Sequence, residues 1–203
     1  MEVPAENRRQ VDIILPKPRD SVTFRIVDER GYPLSRADIE VSSLDWDAPL
    51  RQTLFSDDAG EAQLSDARGL PLRLVVERRG RAPTVAEIER APALVELAME
   101  PALGATGLVE TRHGFVADAE LTLQTPSGER AARTDEQGVF HFEDLAAGPA
   151  RLLIVKAGLV PHEEDVAVAG DPEREVDLGR FELTEGGSVK GLVVDERGGG
   201  IGR

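Results

Sequence analysis

Residues 133–161 read RTDEQGVFHFEDLAAGPARLLIVKAGLVP, and this stretch decides the fold. Thr134-Asp135-Glu136-Gln137-Gly138 is a turn signal, in which Asp can bond its own backbone and Gly supplies a positive φ. Val139 to Phe142 reads as a short strand, Leu145-Ala146-Ala147-Gly148 as a loop, and Ala150 to Val155 as a second strand. Gly158 ends that strand and Pro161 lies just beyond it. A weaker copy stands upstream as SDDAGEAQLS from Ser56, then GLPLRLVVERRGRAP from Gly69. Asp57 matches Asp135, Gly60 matches Gly138, Arg73 matches Arg151, Gly80 matches Gly158 and Pro83 matches Pro161, every pair 78 residues apart. Five matches at one offset make an internal repeat.

Outward from this stretch, Val11-Asp12-Ile13, Val95-Glu96-Leu97 and Val176-Asp177-Leu178 recur at spacings of 84 and 81. Each precedes another strand-like run: SVTFRIVDERG from Ser21, ALGATGLVETRHG from Ala102, GSVKGLVVDERG from Gly187. Their closing glycines, Gly31, Gly114 and Gly198, lie 83 and 84 apart. Three last strands and three first strands enclose two complete units. The expected layout is residues 1–20 as the last strand of a preceding copy plus a linker, and 21–100 as one complete unit. Residues 102–184 form a second unit joined through Glu100-Pro101, and 185–203 the first strand of a truncated third. On this reading the sequence is a segment of a longer repeat protein, with any signal or anchor elsewhere.

Within each unit the period is that of strands. Val22, Phe24 and Ile26 alternate with Thr23, Arg25 and Val27, and Ala37, Ile39 and Val41 with Asp38, Glu40 and Ser42. Ala119, Leu121 and Leu123 do the same in the second unit, and Phe140 and Phe142 flank His141. Thr84 to Arg90 could form a helical turn. Its counterpart from Glu163 to Gly170 alternates, so both are expected to be strands. About seven short runs per unit, with frequent turn signals, indicate an all-β chain of two tandem antiparallel sandwiches.

Composition narrows the function classes. The net charge is −14, from 38 acidic and 24 basic residues. That disfavours nucleic acid, whose binding rests on cations meeting phosphates, and anionic membrane surfaces. No stretch approaches the ~20 apolar residues of a membrane-spanning helix. The opening MEVPAENRRQ has no apolar core and is not a signal peptide. The absence of cysteine excludes disulfides, thiolate metal sites and a cysteine nucleophile.

The ordered series Gly107-Leu108-Val109, Gly114, Ala119-Glu120-Leu121, Thr134 to Phe140, Leu145 to Gly148 and Leu152 to Gly158 resembles the carboxypeptidase regulatory-like domain. The first unit repeats it with Val27 to Leu34, Ala37 to Val41 and Ser56 to Gly60. The resemblance implies an Ig-like, transthyretin-like or Cna-B-like sandwich, often tandem in bacterial envelope proteins. It has departures: Ala150 replaces an aromatic usual after the LxxG loop, Arg81 and Leu159 replace another, and the first unit has Ala62 and Leu64 where the second has Phe140 and Phe142. No peptidase motif is present. Some sandwich adhesins related in architecture carry a Lys–Asn crosslink between first and last strands. Here the sole asparagine is Asn7 and the lysines are Lys17, Lys156 and Lys190, so neither complete unit has a lysine in its first strand. A Lys–Asp variant in the third copy stays open.

Reactive groups are scattered. His113, His141 and His162 have no partner at metal-ligand spacing. Asp57-Asp58 and Asp135-Glu136 are oxygen-rich, as calcium requires, yet lack the alternating acids of a calcium loop, and turn geometry accounts for one Asp each. As a glycosidase pair they would have to face each other across a substrate, which repeated turns on separate units do not arrange. Trp46, between Asp45 and Asp47, is either a plug closing one end of the sandwich, the expected role, or an exposed platform on which a sugar ring stacks. The expected function is a non-catalytic spacer or interaction segment of an exported bacterial protein, at the cell surface or in the periplasm. Its partners would be neighbouring repeats and a protein or glycan ligand, without cofactor, metal, nucleic acid or membrane insertion. The alternatives are a carbohydrate-binding module centred on Trp46, Asp45 and Asp47, and a regulatory domain attached to a peptidase or other enzyme.

Overall fold

The computed structural model describes residues 20–187, and among these every regular element is a β-strand. The first unit contains β1 (Val22–Asp28), β2 (Asp38–Ser43), β3 (Arg51–Phe55), β4 (Glu61–Leu64), β5 (Leu72–Glu77), β6 (Thr84–Ile88) and β7 (Leu94–Met99). The second contains β8 (Leu103–Thr111), the two-residue β9 (Gly114–Phe115), β10 (Glu120–Thr125), β11 (Gly128–Arg133), β12 (Val139–Leu145), β13 (Gly148–Val155), β14 (His162–Val168) and β15 (Val176–Glu182). In the first unit the sheet β4-β1-β7 faces the sheet β3-β2-β5-β6. The second unit repeats this with β12-β8-β15, plus β9 on β8, against β11-β10-β13-β14. Thr84 to Ile88 and His162 to Val168 are strands, as expected, and each lies at the edge of its sheet. The strands expected near residues 11–15 and 189–194 lie outside the described residues, as do Asn7, Lys17 and Lys190.

Burial follows the period of two. Val22, Phe24 and Ile26 are buried while Thr23 and Arg25 are not, and Phe140 and Phe142 are buried on either side of exposed His141. Each sandwich closes on its own apolar cluster, one running from Val22 to Met99 and the other from Leu103 to Leu183. Pairing is antiparallel except in one place per unit: β1 runs parallel to β7, and β8 parallel to β15. The chain therefore enters each sandwich at one pole and leaves at the other.

The turn chemistry repeats with the sequence. The Asp57 Oδ1 accepts from the Ala59 and Glu61 N–H groups at 2.9 and 2.8 Å, and Asp135 Oδ1 from Gln137 and Val139 at the same distances. Gly60 and Gly138 both sit at φ 75. A Cβ on Gly60 would lie 2.5 Å from the Ile26 carbonyl oxygen, and one on Gly138 would strike the Val109 carbonyl, so close approach as well as φ demands glycine. Just before each turn a hydroxyl is buried. Ser56 and Thr134 accept from the Ala37 and Ala119 N–H groups, both at 2.8 Å.

One expectation needs correction. Leu145 to Gly148 is not a four-residue loop: β12 continues to Leu145 through a bulge in which Asp144 has φ 54, and only Ala146-Ala147 crosses to the other sheet. Ala62 and Leu64 do stand in the first unit where the second has Phe140 and Phe142, and the core aromatic of the first unit lies on the partner strand. Phe24 pairs directly with Ala62 in the first unit, whereas Gly107 pairs with Phe140 in the second. Large and small have changed places across one rung.

Candidate functional site

The Trp46 hairpin joins β2 to β3. Its backbone is closely tied: Ser43 N–H donates to Leu50 O at 2.9 Å, and Leu44 N–H to Pro71 O at 3.0 Å. Asp45 N–H reaches Ser43 Oγ at 3.0 Å, and the Asp45 Oδ1 accepts from Asp47 N–H at 3.0 Å. That turn puts Trp46 at the apex, while Ala48 and Leu50 pack on the core beneath. The indole is 96% exposed, which overturns the end-plug expectation. The core below needs no lid, because small and aliphatic side chains already fill it. Leu44, Trp46, Pro49 and Arg51 border an open cleft of about 420 Å³. Asp45 is committed to its turn and Asp47 is exposed, so this site offers one aromatic face and one free carboxylate.

A second concentration of contacts lies between the sandwiches. The link Glu100-Pro101-Ala102 is strapped to the β5–β6 turn: Ala82 N–H donates to Glu100 O at 2.9 Å, and Ala102 N–H to Gly80 O at 3.3 Å. Across the junction the Gly80 N–H donates to Asp144 Oδ1 at 2.8 Å, and Arg130 Nη2 lies 2.7 Å from Glu77 Oε1. A half-exposed ion pair contributes about 0–1 kcal/mol, and a hydrogen bond to a carboxylate about 1.5–3. The clasp thus fixes orientation more than it adds stability. Arg81, mostly buried, ties the same turn to the end of β1, 2.5 Å from Glu29 and 3.7 Å from Asp28. Burial pushes the Asp28 carboxyl up, but the Tyr32 and Arg30 N–H groups and Arg81 outweigh it and hold the group below its ordinary range. Glu29 is lowered by a backbone N–H and by Arg81. The second unit replaces Arg81 with Leu159, and Asp28 and Glu29 with Thr111 and Arg112, so the whole knot is exchanged together.

Flanking the clasp is a cleft of about 860 Å³ bordered by Arg36, Phe55, Arg79, Arg130, His141 and Glu143. The turn acids Asp57 and Asp135 each spend an oxygen on two N–H groups of their own loops. His141 and His162 each meet a glutamate, Glu175 at 3.3 Å and Glu164 at 3.0 Å, and His113 lies 3.4 Å from Glu185. Among the described residues no three His, Asp or Glu side chains converge as metal ligands would. Sequence reasoning missed Asp144 and Ser56/Thr134. The signal was available, since the 78-residue offset also relates Asp66 to Asp144 and Ser56 to Thr134.

No protein-family model and no curated protein matches the chain. Among solved structures it is similar to the minor pilin GBS52 of Streptococcus agalactiae, at 10% identity and TM-score 0.46, covering 86% of this chain and 100% of that one. It is similar also to a streptococcal ancillary pilin, at 14% identity and TM-score 0.41, over 80% of this chain and 62% of the other. A third is the Bacillus anthracis TIE protein, at 21% identity and TM-score 0.36, over 82% of this chain. The chain spans about a third of the length of that protein, 34%. The fold itself is read from the described strands, which form an all-β chain of two sandwiches.

Proposed function

We propose that this chain is a non-catalytic structural and interaction segment, a run of stiffly joined sandwiches of the carboxypeptidase regulatory-like type. It belongs to an exported bacterial protein that works at the cell surface or in the periplasm. The units are residues 21–100 and 102–184. One observation carries the reading: the link between them is strapped to the β5–β6 turn and clasped by Gly80–Asp144 and Glu77–Arg130. A short proline-containing link limits relative motion, and hydrogen bonds across it limit it further. The surface charge of −14 keeps such an extended chain soluble and apart from its neighbours. Nuclear relaxation of the 203-residue chain tests this: both units should share one rotational correlation time and alignment tensor. Independent tumbling of the two units would refute it, and Asp144→Ala with Arg130→Ala should produce that independence.

A second reading is supported by the exposure of Trp46. A rigid hairpin holding an indole in solvent suits stacking on the apolar face of a pyranose, with Asp47 accepting hydroxyl hydrogen bonds. Glycan-array binding that Trp46→Phe keeps and Trp46→Ala removes would favour it, and a blank array would dispose of it. The third possibility, regulation of an attached enzyme, rests on the resemblance alone.

A further inference from the structure

The edge strands β6 and β14 are counterparts, and only one of them is guarded. The offset of 78 sets Thr84-Val85-Ala86-Glu87-Ile88 against His162-Glu163-Glu164-Asp165-Val166. The register agrees, since Ala86 lies opposite Leu74 and Glu164 opposite Leu152. Charged side chains on an edge strand keep it from pairing with another chain. β14 carries three acids in a row, where β6 has Val85, Ala86 and the single acid Glu87. β6 pairs only with β5. Every second residue from Thr84 to Ile88 therefore turns its N–H and C=O away from the sheet, and these groups have no backbone partner among the described residues. Ala86 and Ile88 pack on the core from this edge and stay only partly buried.

The start of β6 also borders a second cleft of about 860 Å³, between the two units, with Pro83, Val85 and Ala98 on one wall and Pro126, Ala146 and Pro172 on the other. Both walls belong to described units of this chain. Glu100 is the one charged residue bordering it, in a chain whose residues are 31% charged, so the cleft is a local uncharged seam. Acids stand at its rim and beyond the far end of β6. Glu87 meets Arg73 at 3.8 Å, whereas the exposed Glu89 and Glu100 have no ion-pair partner among the described residues.

We propose that β6 and this cleft bind an extended segment of a partner protein, apolar at alternate positions and flanked by Lys or Arg. It adds as a further strand to the sheet β3-β2-β5-β6. The row of unpaired backbone groups calls for an extended backbone, as in other cases of strand addition. Side chains of a strand alternate in direction, so one face of the segment covers Ala86 and Ile88 while its end beside Thr84 reaches the uncharged cleft. Glu89 and Glu100 call for cations at the two ends. A second copy of this chain is the poorer occupant, because a charge of −14 on each opposes association. The proposal rests on the interaction-segment reading above, for which it names a partner class, and does not depend on the clasp.

The probe is the labelled peptide Lys-Val-Thr-Val-Thr-Val-Lys, titrated into the full chain. It should bind saturably by about 1 mM and slow amide exchange at alternate residues between Thr84 and Ile88. The same peptide with Glu at both ends should bind about tenfold more weakly. N-methylation of its valines blocks one edge of the peptide and N-methylation of its threonines the other, so one pattern should abolish binding and the other spare it. Mere adhesion to an apolar cleft would not tell the two apart. Val85→Lys with Ala86→Lys should weaken binding at least about tenfold; if that variant melts early, the methylated pair decides. Three results overturn the proposal: no saturable binding by about 1 mM, equal effects of the two methylation patterns, or β6 amides already slow without peptide. The last would mean that another segment of this chain or a second copy covers the edge. Each leaves the joint tumbling of the units, and with it the spacer reading, standing, whereas independent tumbling with peptide binding intact would refute the spacer alone.

Discussion

Phe24 and Ala62 face each other across β1 and β4, and the second unit places Gly107 and Phe140 on the corresponding rung. If one aromatic per unit fills that position, its strand should not matter but its presence should. Phe24 is fully buried with only a methyl opposite it, so Phe24→Ala leaves a cavity that no neighbour on the rung can fill. The cost of such a truncation is about 3–5 kcal/mol. In a domain of this size each kcal/mol lowers Tm by about 4–8 °C, so the first unit should melt at least roughly 12 °C earlier. The two cores are separate, so the transition of the second unit should hardly move. Calorimetry on the full chain reads both at once. The decisive variant is Phe24→Gly with Ala62→Phe, which copies the arrangement of the second unit and should recover more than half of the loss. A Phe24→Ala cost under about 1 kcal/mol, or a swap no better than the truncation, would falsify the account.

Gly107→Ala would place a Cβ 2.6 Å from the Phe140 ring and 3.0 Å from the Gly179 carbonyl oxygen; overpacking of this kind costs about 1–3 kcal/mol, visible as a lowered second-unit transition. Trp46→Ala should change stability by no more than about 0.5 kcal/mol, since the ring is almost wholly in solvent; a large loss in the same melt would put the indole back in the core. Asp28 and Glu29 titrate below their ordinary 3.8 and 4.5 in the folded chain. Their contribution is therefore complete above the unfolded values and lost as pH falls through the lowered ones. The first unit's Tm should drop below about pH 4 more steeply than that of Arg81→Gln, and parallel curves would exclude a role for Arg81.

Turn residues and strand faces were legible because each is a local requirement. Gly60 and Gly138 are demanded by φ and by the carbonyl beside them, and Asp57 and Asp135 by the N–H groups two and four residues on. Phe140 and Phe142 announced a buried face by flanking His141. Trp46 was misjudged because composition does not reveal whether the space under a hairpin is already filled, here by Ala48 and Leu50. The displaced aromatic at Phe24 was hidden for a related reason: pairing across strands, not position along one, decides which side chains share a rung. Asp144 looked like any loop acid, since its partner is a backbone N–H 64 residues away.

The parallel rung between first and last strands has a mechanical consequence. A pull on the two ends of a unit loads β1 against β7 along their length, so the ladder must be sheared as a block instead of being unzipped bond by bond. In the first unit this ladder is continuous from Thr23–Leu94 to Asp28–Met99. In the second it slips between Asp177 and Arg180, where Gly179 turns to φ 99. Under tension the second sandwich should therefore yield first, and a pulling trace in which the first gives way at the lower force would contradict this. Arranged in series, the units would act as a graded fuse, the interrupted ladder lengthening the chain while the continuous one still holds.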